Sequence, residues 1–315
     1  MTDAARDAAR VLAGATTHAK NRGLEAIAAA LVERADQILA ANAEDVARGR
    51  AEHMSDGLLD RLALTKDRLR SIADAVLEIV ALPDPVGQVV RGSRTDIGLR
   101  VTQERVPLGV IGIIYEARPN VTIDAAALAL KAGNAVILRG GSAAQASNRV
   151  LIDVCRDALS SVGLPPDAIS TVDPWGRGGA RAMMRARGAI DALIPRGGAG
   201  LINAVVEESR VPVIETGTGN CHVYVDASAD LEAAEAIIMN AKTQRVGVCN
   251  AAETLLVHAD VAPRFLVAAV TRLTTAGVTI HADDATRAII AGNPSIDADM
   301  IVEATEADWE TEYLS

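Results

Sequence analysis

The segment VPLGVIGIIYEARPNVTIDAAALALKAGNAVILRGGSAA, residues 106–144, decides the fold. It contains two runs rich in Val and Ile, VIGIIY and AVILR, on either side of an Ala- and Leu-rich stretch over 121–132. Two such runs joined by a helix of this length predict neighbouring parallel strands with a crossover helix. The segment therefore predicts a βαβ unit of a parallel sheet that is covered on both faces.

The same alternation continues on the carboxyl side of this segment. A predicted helix over 144–161 is followed by the strand AIST, a helix over 177–187, the strand IDALI, a helix over 199–208 and the strand VPVIE. This pattern is typical of a doubly wound parallel sheet, the architecture of nucleotide-binding domains. On the amino side, residues 3–80 are predicted to be helical, and residues 85–106 are predicted to form a β-hairpin or a pair of extended arms.

A second domain is predicted after the turn TGTGN (216–220). There the pattern restarts as CHVYVD, a helix over 230–243, AAETLLVH, a helix over 261–275 and GVTIH. We interpret residues 1–216 as a helical region plus a nucleotide-binding α/β domain, and residues 217–315 as a second α/β domain. The sequence stops at EYLS where a further strand is expected, so we expect the second domain to be incomplete.

Composition and charge argue against several classes of protein. The chain has 41 acidic and 31 basic residues, and the formal net charge of −10 opposes binding to nucleic acid or an anionic membrane. Aromatic residues make up 2% of the chain, so base-stacking platforms are not expected. Three cysteines outside any CxxC pattern are typical of reduced thiols in a cytoplasmic protein. The N-terminus shows no signal-peptide pattern, and no apolar run is long enough to span a bilayer.

Gly-rich turns follow several of the predicted strands. Neither GxGxxG after a strand nor a P-loop is present. However, RGGSAA (139–144), GRGG (176–179) and RGGAG (196–200) can each direct backbone N–H groups and a helix N-terminus at a phosphate. An α/β fold needs glycine at such turns in any case, so one turn alone is a weak signal. Three turns at one edge of a sheet favour an anionic ligand.

The cysteines and one glutamate are candidate reactive groups. Cys249 lies in RVGVCNAAETLLVH, in a predicted loop where an exposed thiol can act as a nucleophile, although a packing role is the alternative. Cys155 lies on the apolar face of a predicted helix, and Cys221 follows TGTGN, so packing is favoured for both. Glu215 ends the strand VPVIE and is either a general base, a cofactor contact or a solvated carboxylate. The five histidines show no ligand spacing, so no metal site is predicted.

Four segments in order resemble the aldehyde dehydrogenase superfamily, and within it the gamma-glutamyl phosphate reductase family. They are residues 106–144, IPRGGAGLI, VPVIETGTGNCHVYVD and CNAAETLLVH. The superfamily has a Glu on the strand that ends the cofactor domain and a catalytic Cys in the next domain. Glu215 and Cys249 are 34 positions apart, which is similar to the superfamily separation.

The resemblance implies roles for particular residues. Cys249 corresponds to the catalytic nucleophile, and Asn120 corresponds to the side-chain amide of the oxyanion hole. Arg118 and Arg196 are candidates to hold the phosphate and the α-carboxylate of the substrate. The positions implied for the cofactor groove are Arg139, Gly140, Ser142, Gly197, Gly198 and Glu215.

The resemblance also implies an activity. It is the NADPH-dependent reduction of L-glutamyl 5-phosphate to L-glutamate 5-semialdehyde in proline biosynthesis, through a Cys thioester and with release of phosphate. The implied assembly is a homo-oligomer to which the predicted hairpin contributes. Two alternatives stay open: another Cys-dependent aldehyde dehydrogenase, and a truncated non-catalytic subunit or nucleotide-binding remnant. Family members continue beyond EYLS, which is the reason for the second alternative.

Overall fold

A computed structural model describes residues 1–215, 217, 219–246 and 248–313, apart from the side chain of Asp56. The chain forms two compact units, Met1–Thr216 and Gly217–Ser315. The predicted domain boundary falls on Thr216, and the turn TGTGN also contains Thr218; both lie outside the described residues. No helix in the described ranges is both long and apolar enough to cross a membrane.

Five helices form the N-terminal part of the first unit, where a helical region is predicted. Their Ala- and Leu-rich faces contribute to the main apolar core of this unit. The Thr16 hydroxyl accepts a hydrogen bond from the amide of Ala19 and caps the second helix, which satisfies one of its free N–H groups. The helices are α1 (Thr2–Ala13), α2 (Thr17–Glu33), α3 (Ala35–Ala51), α4 (Asp56–Leu62) and α5 (Lys66–Ala81).

An antiparallel hairpin follows these helices. Strands β1 (Val89–Arg94) and β2 (Arg100–Glu104) pair with each other, and every residue in both strands is exposed. At the tip, the amide of Thr95 donates to the carbonyl of Leu99, and Ile97 is 90% exposed. The hairpin therefore presents apolar side chains to its surroundings.

A four-stranded parallel sheet forms the centre of the first unit. Its spatial order is β5–β4–β3–β6, and helices connect the strands. The strands are β3 (Val110–Tyr115), β4 (Ala135–Arg139), β5 (Ile169–Thr171) and β6 (Ala192–Arg196). The helices are α6 (Pro119–Lys131), α7 (Gln145–Ser161), α8 (Gly176–Arg185) and α9 (Ala199–Glu208). The predicted doubly wound parallel sheet is confirmed.

The central strand β3 is buried over its whole length, as its continuous apolar sequence predicts. Gly112 in its middle allows close packing, because a Cβ atom there would lie 2.4 Å from Cδ2 of Leu193. The predicted strand VPVIE, in contrast, is only a bridge between Val213 and Leu193. Pro212 has no N–H group to donate, so a full ladder cannot extend along this segment.

Two lysines are buried in the first unit. Lys20 on α2 is 1% exposed, and its Nζ atom lies 2.7 Å from Oδ2 of Asp84. Burial alone would raise the pKa of Asp84, but hydrogen bonds from Lys20 and Thr17 lower it below its ordinary value. Lys131 at the end of α6 donates to Asn21 Oδ1 and the carbonyl of Val80, both at 2.8 Å. Burial lowers the pKa of Lys131.

The second unit is a smaller α/β structure with its own core around Val225, Ile238 and Phe265. It contains two pairs of parallel strands, β7 with β8 and β9 with β10. The strands are β7 (Cys221–Val225), β8 (Ala252–Val257), β9 (Ile280–Ala282) and β10 (Ile301–Glu303). The helices are α10 (Leu231–Thr243), α11 (Ala262–Thr275) and α12 (Asp284–Ile290). The helix α12 and the strand β10 are not predicted from the sequence.

Candidate active site

The carboxyl ends of three neighbouring strands bring most of the predicted cofactor residues to one edge of the sheet. Ile114 of β3 pairs with Arg139 of β4, and Tyr115 of β3 pairs with Arg196 of β6. The turns that begin at Arg139 and Arg196 therefore leave the sheet on either side of Glu116. The chain runs from β3 to β4 and β5 and then returns to β6 beside β3, so the topological switch point lies between β3 and β6. Open α/β sheets bind ligands at such a point.

The turn after β4 is tightly packed. The amide of Gly140 donates to Asp173 Oδ1 at 2.7 Å, and a Cβ atom at Gly140 would lie 2.0 Å from Nδ2 of Asn148. A Cβ atom at Gly141 would lie 2.6 Å from the amide nitrogen of Ala117. Only glycine fits at these two positions without movement of the neighbouring turn.

A chain of buried hydrogen bonds holds the turn after β4 in place. The Thr122 hydroxyl donates its single proton to Asn148 Oδ1 at 2.9 Å. The Thr122 oxygen must therefore accept the hydrogen bond that joins it to the Tyr115 hydroxyl at 2.7 Å, and Tyr115 is the donor. Asn148 Nδ2 donates to Asp173 Oδ2 at 3.3 Å. Burial raises the pKa of Asp173 and also raises the pKa of Tyr115. The chain connects the ends of β3 and β5 with α6 and α7.

A second carboxylate, Asp45 of α3, holds the start of α7. Asp45 is completely buried and accepts hydrogen bonds from the amide of Ser147 at 2.8 Å and from its hydroxyl at 2.7 Å. Arg48 of the same helix donates to the carbonyl oxygen of Ser142 at 3.3 Å. The first turn of α7, predicted as a phosphate contact, is therefore bound by a carboxylate of the chain itself.

The turn after β6 also donates a backbone amide to a carboxylate of the chain. The amide of Gly198 donates to Glu116 Oε1 at 2.8 Å, and a Cβ atom at Gly197 would lie 2.7 Å from Cγ of Glu116. Sequence reasoning missed Glu116, Asp173 and Asp45. For Glu116 a signal existed, because the residue directly follows an apolar strand at a predicted sheet edge.

The predicted substrate residues lie beside these turns. Arg118 is the N-cap residue of α6, and Asn120 in its first turn donates to Asp124 Oδ2 at 3.3 Å. Burial raises the pKa of Asp124. Glu215 is exposed and follows the Val213 bridge to β6, so it lies towards the same edge of the sheet.

Arg139 has an unsatisfied donor. Its Nε atom is buried and has no hydrogen-bond partner among the residues that the structure describes. An unpaired buried donor is costly and points to a missing acceptor.

Cys249 belongs to the second unit, where it is exposed in a turn that precedes β8. The Cys221 thiol donates to the carbonyl oxygen of Cys249 at 3.3 Å. A Cβ atom at Gly219 would lie 2.6 Å from the same oxygen. Asn220 between them accepts a hydrogen bond from the Thr254 hydroxyl at 3.1 Å. The start of β7 therefore supports the backbone of Cys249 and leaves the residue exposed.

The third cysteine has a different environment. Cys155 is completely buried in α7, and burial raises the pKa of its thiol to about 12. It is a packing residue, as its place on the apolar helix face predicts. In the described part of the chain, no three His, Cys, Asp or Glu side chains converge in a way that could hold a metal ion.

The aldehyde dehydrogenase family model matches residues 1–297. Over 315 residues the chain is 58% identical to gamma-glutamyl phosphate reductase of Thermobifida fusca, covering 100% of the chain and 73% of that protein. It is 53% identical to the enzyme of the same name from Bifidobacterium adolescentis, covering 74% of its length.

Solved structures agree with these matches. The crystal structure of gamma-glutamyl phosphate reductase from Thermotoga maritima superimposes with a TM-score of 0.92 at 44% identity, covering 100% of this chain and 74% of that one. The corresponding structure from Saccharomyces cerevisiae gives a TM-score of 0.64 at 27% identity, covering 96% and 79%. The expected aldehyde-dehydrogenase-like α/β fold is confirmed. The chain belongs to the aldehyde dehydrogenase family and, within it, to the family of gamma-glutamyl phosphate reductases.

Proposed function

We propose that this chain reduces L-glutamyl 5-phosphate to L-glutamate 5-semialdehyde and phosphate, a step in the biosynthesis of proline, and that it uses NADPH. The observation that carries the proposal is the identity of 53–58% with gamma-glutamyl phosphate reductases over 98–100% of this chain. Membership of the aldehyde dehydrogenase family makes the protein an oxidoreductase that uses a nicotinamide cofactor.

The edge of the sheet in the first unit fits such a cofactor. Two glycine turns lie on either side of the switch point, and a Cβ atom at Gly140, Gly141 or Gly197 would collide with a neighbouring group. Arg139 adds a cation with an unpaired donor. We assign the cofactor to these turns, with contacts from Arg139, Gly140, Ser142, Gly197, Gly198 and Glu215.

Cys249 is the proposed nucleophile. Its thiolate attacks the acyl carbon of the substrate, the bond between that carbon and the phosphate oxygen breaks, and phosphate leaves with the electron pair. The product of this step is a thioester on Cys249. Asn120 is the proposed side-chain donor that stabilises the negative oxygen of the tetrahedral intermediate.

A bound reduced nicotinamide cofactor would supply a hydride to the carbon of the thioester. The oxygen that becomes negative is again stabilised by Asn120, and breakage of the carbon–sulfur bond returns the Cys249 thiolate and releases the aldehyde. No water molecule is consumed, so Glu215 is not required as the general base of a hydrolytic step. We therefore assign Glu215 to the cofactor groove.

Arginines are suited to the two anionic groups of the substrate, because a guanidinium binds phosphate and carboxylate through paired hydrogen bonds. Arg118 and Arg196 flank Glu116 in the described structure: Arg118 is the N-cap residue of α6, and Arg196 ends β6. We propose that these two residues hold the phosphate and the α-carboxylate.

We also propose a homo-oligomer in the cytoplasm. The exposed hairpin β1–β2 offers Val90, Ile97 and Leu99, which are 55%, 90% and 58% exposed, to a second copy of the chain. The odd number of unpaired cysteines is consistent with a reducing compartment. Sedimentation of the purified chain, with Ile97→Asp as a comparison, tests the assembly.

The reverse reaction tests the activity. Purified protein is mixed with L-glutamate 5-semialdehyde, phosphate and NADP⁺, and NADPH is followed by its absorbance. We expect turnover that requires phosphate and is much slower with propionaldehyde. Equal turnover of both aldehydes without phosphate would instead identify another aldehyde dehydrogenase, and absence of turnover in the folded chain would support a non-catalytic subunit.

A further inference from the structure

The amide group at the start of α9 is already occupied by an anion of the chain itself. Gly198 directly precedes the helix, and its N–H donates to Glu116 Oε1 at 2.8 Å. The N-terminus of a helix carries partial positive charge and attracts carboxylates and phosphates alike. The carboxylate of Glu116 therefore sits where an α/β sheet presents a phosphate-binding group, beside the switch point between β3 and β6.

The backbone of Glu116 is fixed between the two glycine turns. Its amide donates to the carbonyl of Arg196 at 3.2 Å. On the other side, a Cβ atom at Gly141 would lie 3.0 Å from the carbonyl carbon of Glu116. Movement of the backbone would disturb both turns.

The side chain of Glu116, in contrast, can rotate away from the amide of Gly198 without disturbing the two glycine turns. Glu116 is exposed, and its side chain lies across Gly197 rather than beneath other residues. Rotation about the side-chain bonds is enough to release the amide of Gly198.

We propose that Glu116 occupies, in the cofactor-free protein, the place of a cofactor phosphate oxygen at Gly198, and that this competition sets the affinity for the cofactor. The identity of that cofactor rests on the proposed function, but the competition needs only a ligand whose pyrophosphate reaches the amide of Gly198. One amide cannot serve two anions at hydrogen-bond distance, and two adjacent negative charges repel each other. Glu116 must therefore release Gly198 when a phosphate binds.

The test compares the full chain with Glu116→Gln and Glu116→Ala. Glutamine keeps an oxygen acceptor for Gly198 but removes the charge, and alanine removes the contact. Glu25→Gln is the matched control, since Glu25 is exposed on α2 and the substitution changes the net charge equally. Affinities are measured by isothermal titration calorimetry with NADP⁺, with inorganic pyrophosphate and with adenosine 2′-monophosphate, and thermal unfolding checks that each variant is folded.

We expect the Kd for NADP⁺ and for pyrophosphate to fall by about three- to tenfold in Glu116→Gln, and at least as far in Glu116→Ala. Adenosine 2′-monophosphate lacks the pyrophosphate, so its affinity should not change. The Glu25→Gln control should match the parent chain within about twofold, because a distant surface charge is screened by salt. A role in folding alone would not make a ligand bind more tightly.

The outcomes separate this inference from the proposed function. If NADP⁺ binds the parent chain and both Glu116 variants equally, or binds the variants more weakly, the competition is disproved while the cofactor assignment stands. If no form binds NADP⁺ but both variants bind pyrophosphate more tightly, the competition stands and the cofactor assignment fails. If neither ligand distinguishes the variants from the parent, the inference is overturned.

Discussion

Buried polar groups of the first unit contrast with the exposed thiol of Cys249 in the second. In the first unit Lys20, Asp45 and Asn148 are at most 1% exposed, and their side chains form hydrogen bonds to Asp84, Ser147 and Asp173, respectively. In the second unit the residue with the proposed chemical role, Cys249, is exposed in a turn. Buried polar groups fix a backbone at the cost of desolvation, whereas an exposed thiol remains accessible. Substitution of these buried groups should therefore affect mainly stability, whereas substitution of Cys249 should affect mainly rate.

The largest expected effect separates two cysteines. Cys249→Ala should lower the reductase rate by at least about 10³-fold, because no other group replaces the nucleophile. Its thermal unfolding should match that of the parent chain. Cys155→Ala should instead lower the free energy of unfolding by about 1 kcal/mol, since it leaves a small cavity in α7, and should retain activity. Initial rates and thermal melts of both variants test the contrast, which fails if Cys249→Ala remains active.

A glycine next to the nucleophile should give the next largest effect. Gly219→Ala introduces a Cβ atom 2.6 Å from the carbonyl oxygen of Cys249, so the turn must move. A displacement of about 1 Å can lower a rate by about 10²-fold. Gly217→Ala is the matched control, because a Cβ atom there has nothing within 4 Å. The steady-state rate and the rate of thiol alkylation should both change in Gly219→Ala and not in Gly217→Ala. Similar rates in the two variants would argue against support of Cys249 by the segment that leads into β7.

A buried ion pair tests the stability side of the comparison. Asp84→Asn leaves Lys20 charged and 1% exposed, so we expect a loss of about 2 kcal/mol in the free energy of unfolding. Asp36→Asn breaks the exposed pair with Lys66, whose side chains are 88% and 69% exposed, and should cost less than about 0.5 kcal/mol. Urea denaturation measures both values. Equal costs would mean that burial of the Lys20 pair has no energetic consequence.

The smallest expected effect is a pH dependence in the first unit. Because burial raises the pKa of Asp173 in the folded state, its contribution to stability is greatest at acid pH and is lost as the pH rises through the folded-state pKa. Asp173→Asn cannot titrate. The unfolding free energy of the parent minus that of the variant should therefore fall, by up to about 1 kcal/mol, between pH 4 and pH 7. Denaturation at several pH values checks the sign, and a rise over this range would contradict the expected direction.

Much of the first unit could be predicted from the sequence, because its strands are continuous Val and Ile runs and its helices have strong amphipathic patterns. Short elements of the second unit, such as α12 and β10, have too few residues to show a period. VPVIE has the composition of a strand, but Pro212 limits its pairing.

The candidate site was predictable only in part. Glycine turns are visible as sequence, and they led to Gly140, Gly197 and Gly198. Their carboxylate partners are not visible, because Glu116 contacts Gly198 across 82 positions and Asp45 contacts Ser147 across 102. Such contacts are set by the order of strands and by helix packing, which local patterns do not encode.

The burial of lysines has a practical consequence for chemical labelling. The chain has four lysines: Lys20 and Lys131 are at most 4% exposed, and the side chain of Lys242 is 12% exposed beside Glu253. Lys66, with its side chain 69% exposed, is left as the accessible one. An amine-specific dye or cross-linker should therefore modify the folded protein at Lys66 and at the amino terminus, which makes nearly site-selective conjugation possible without any engineered cysteine.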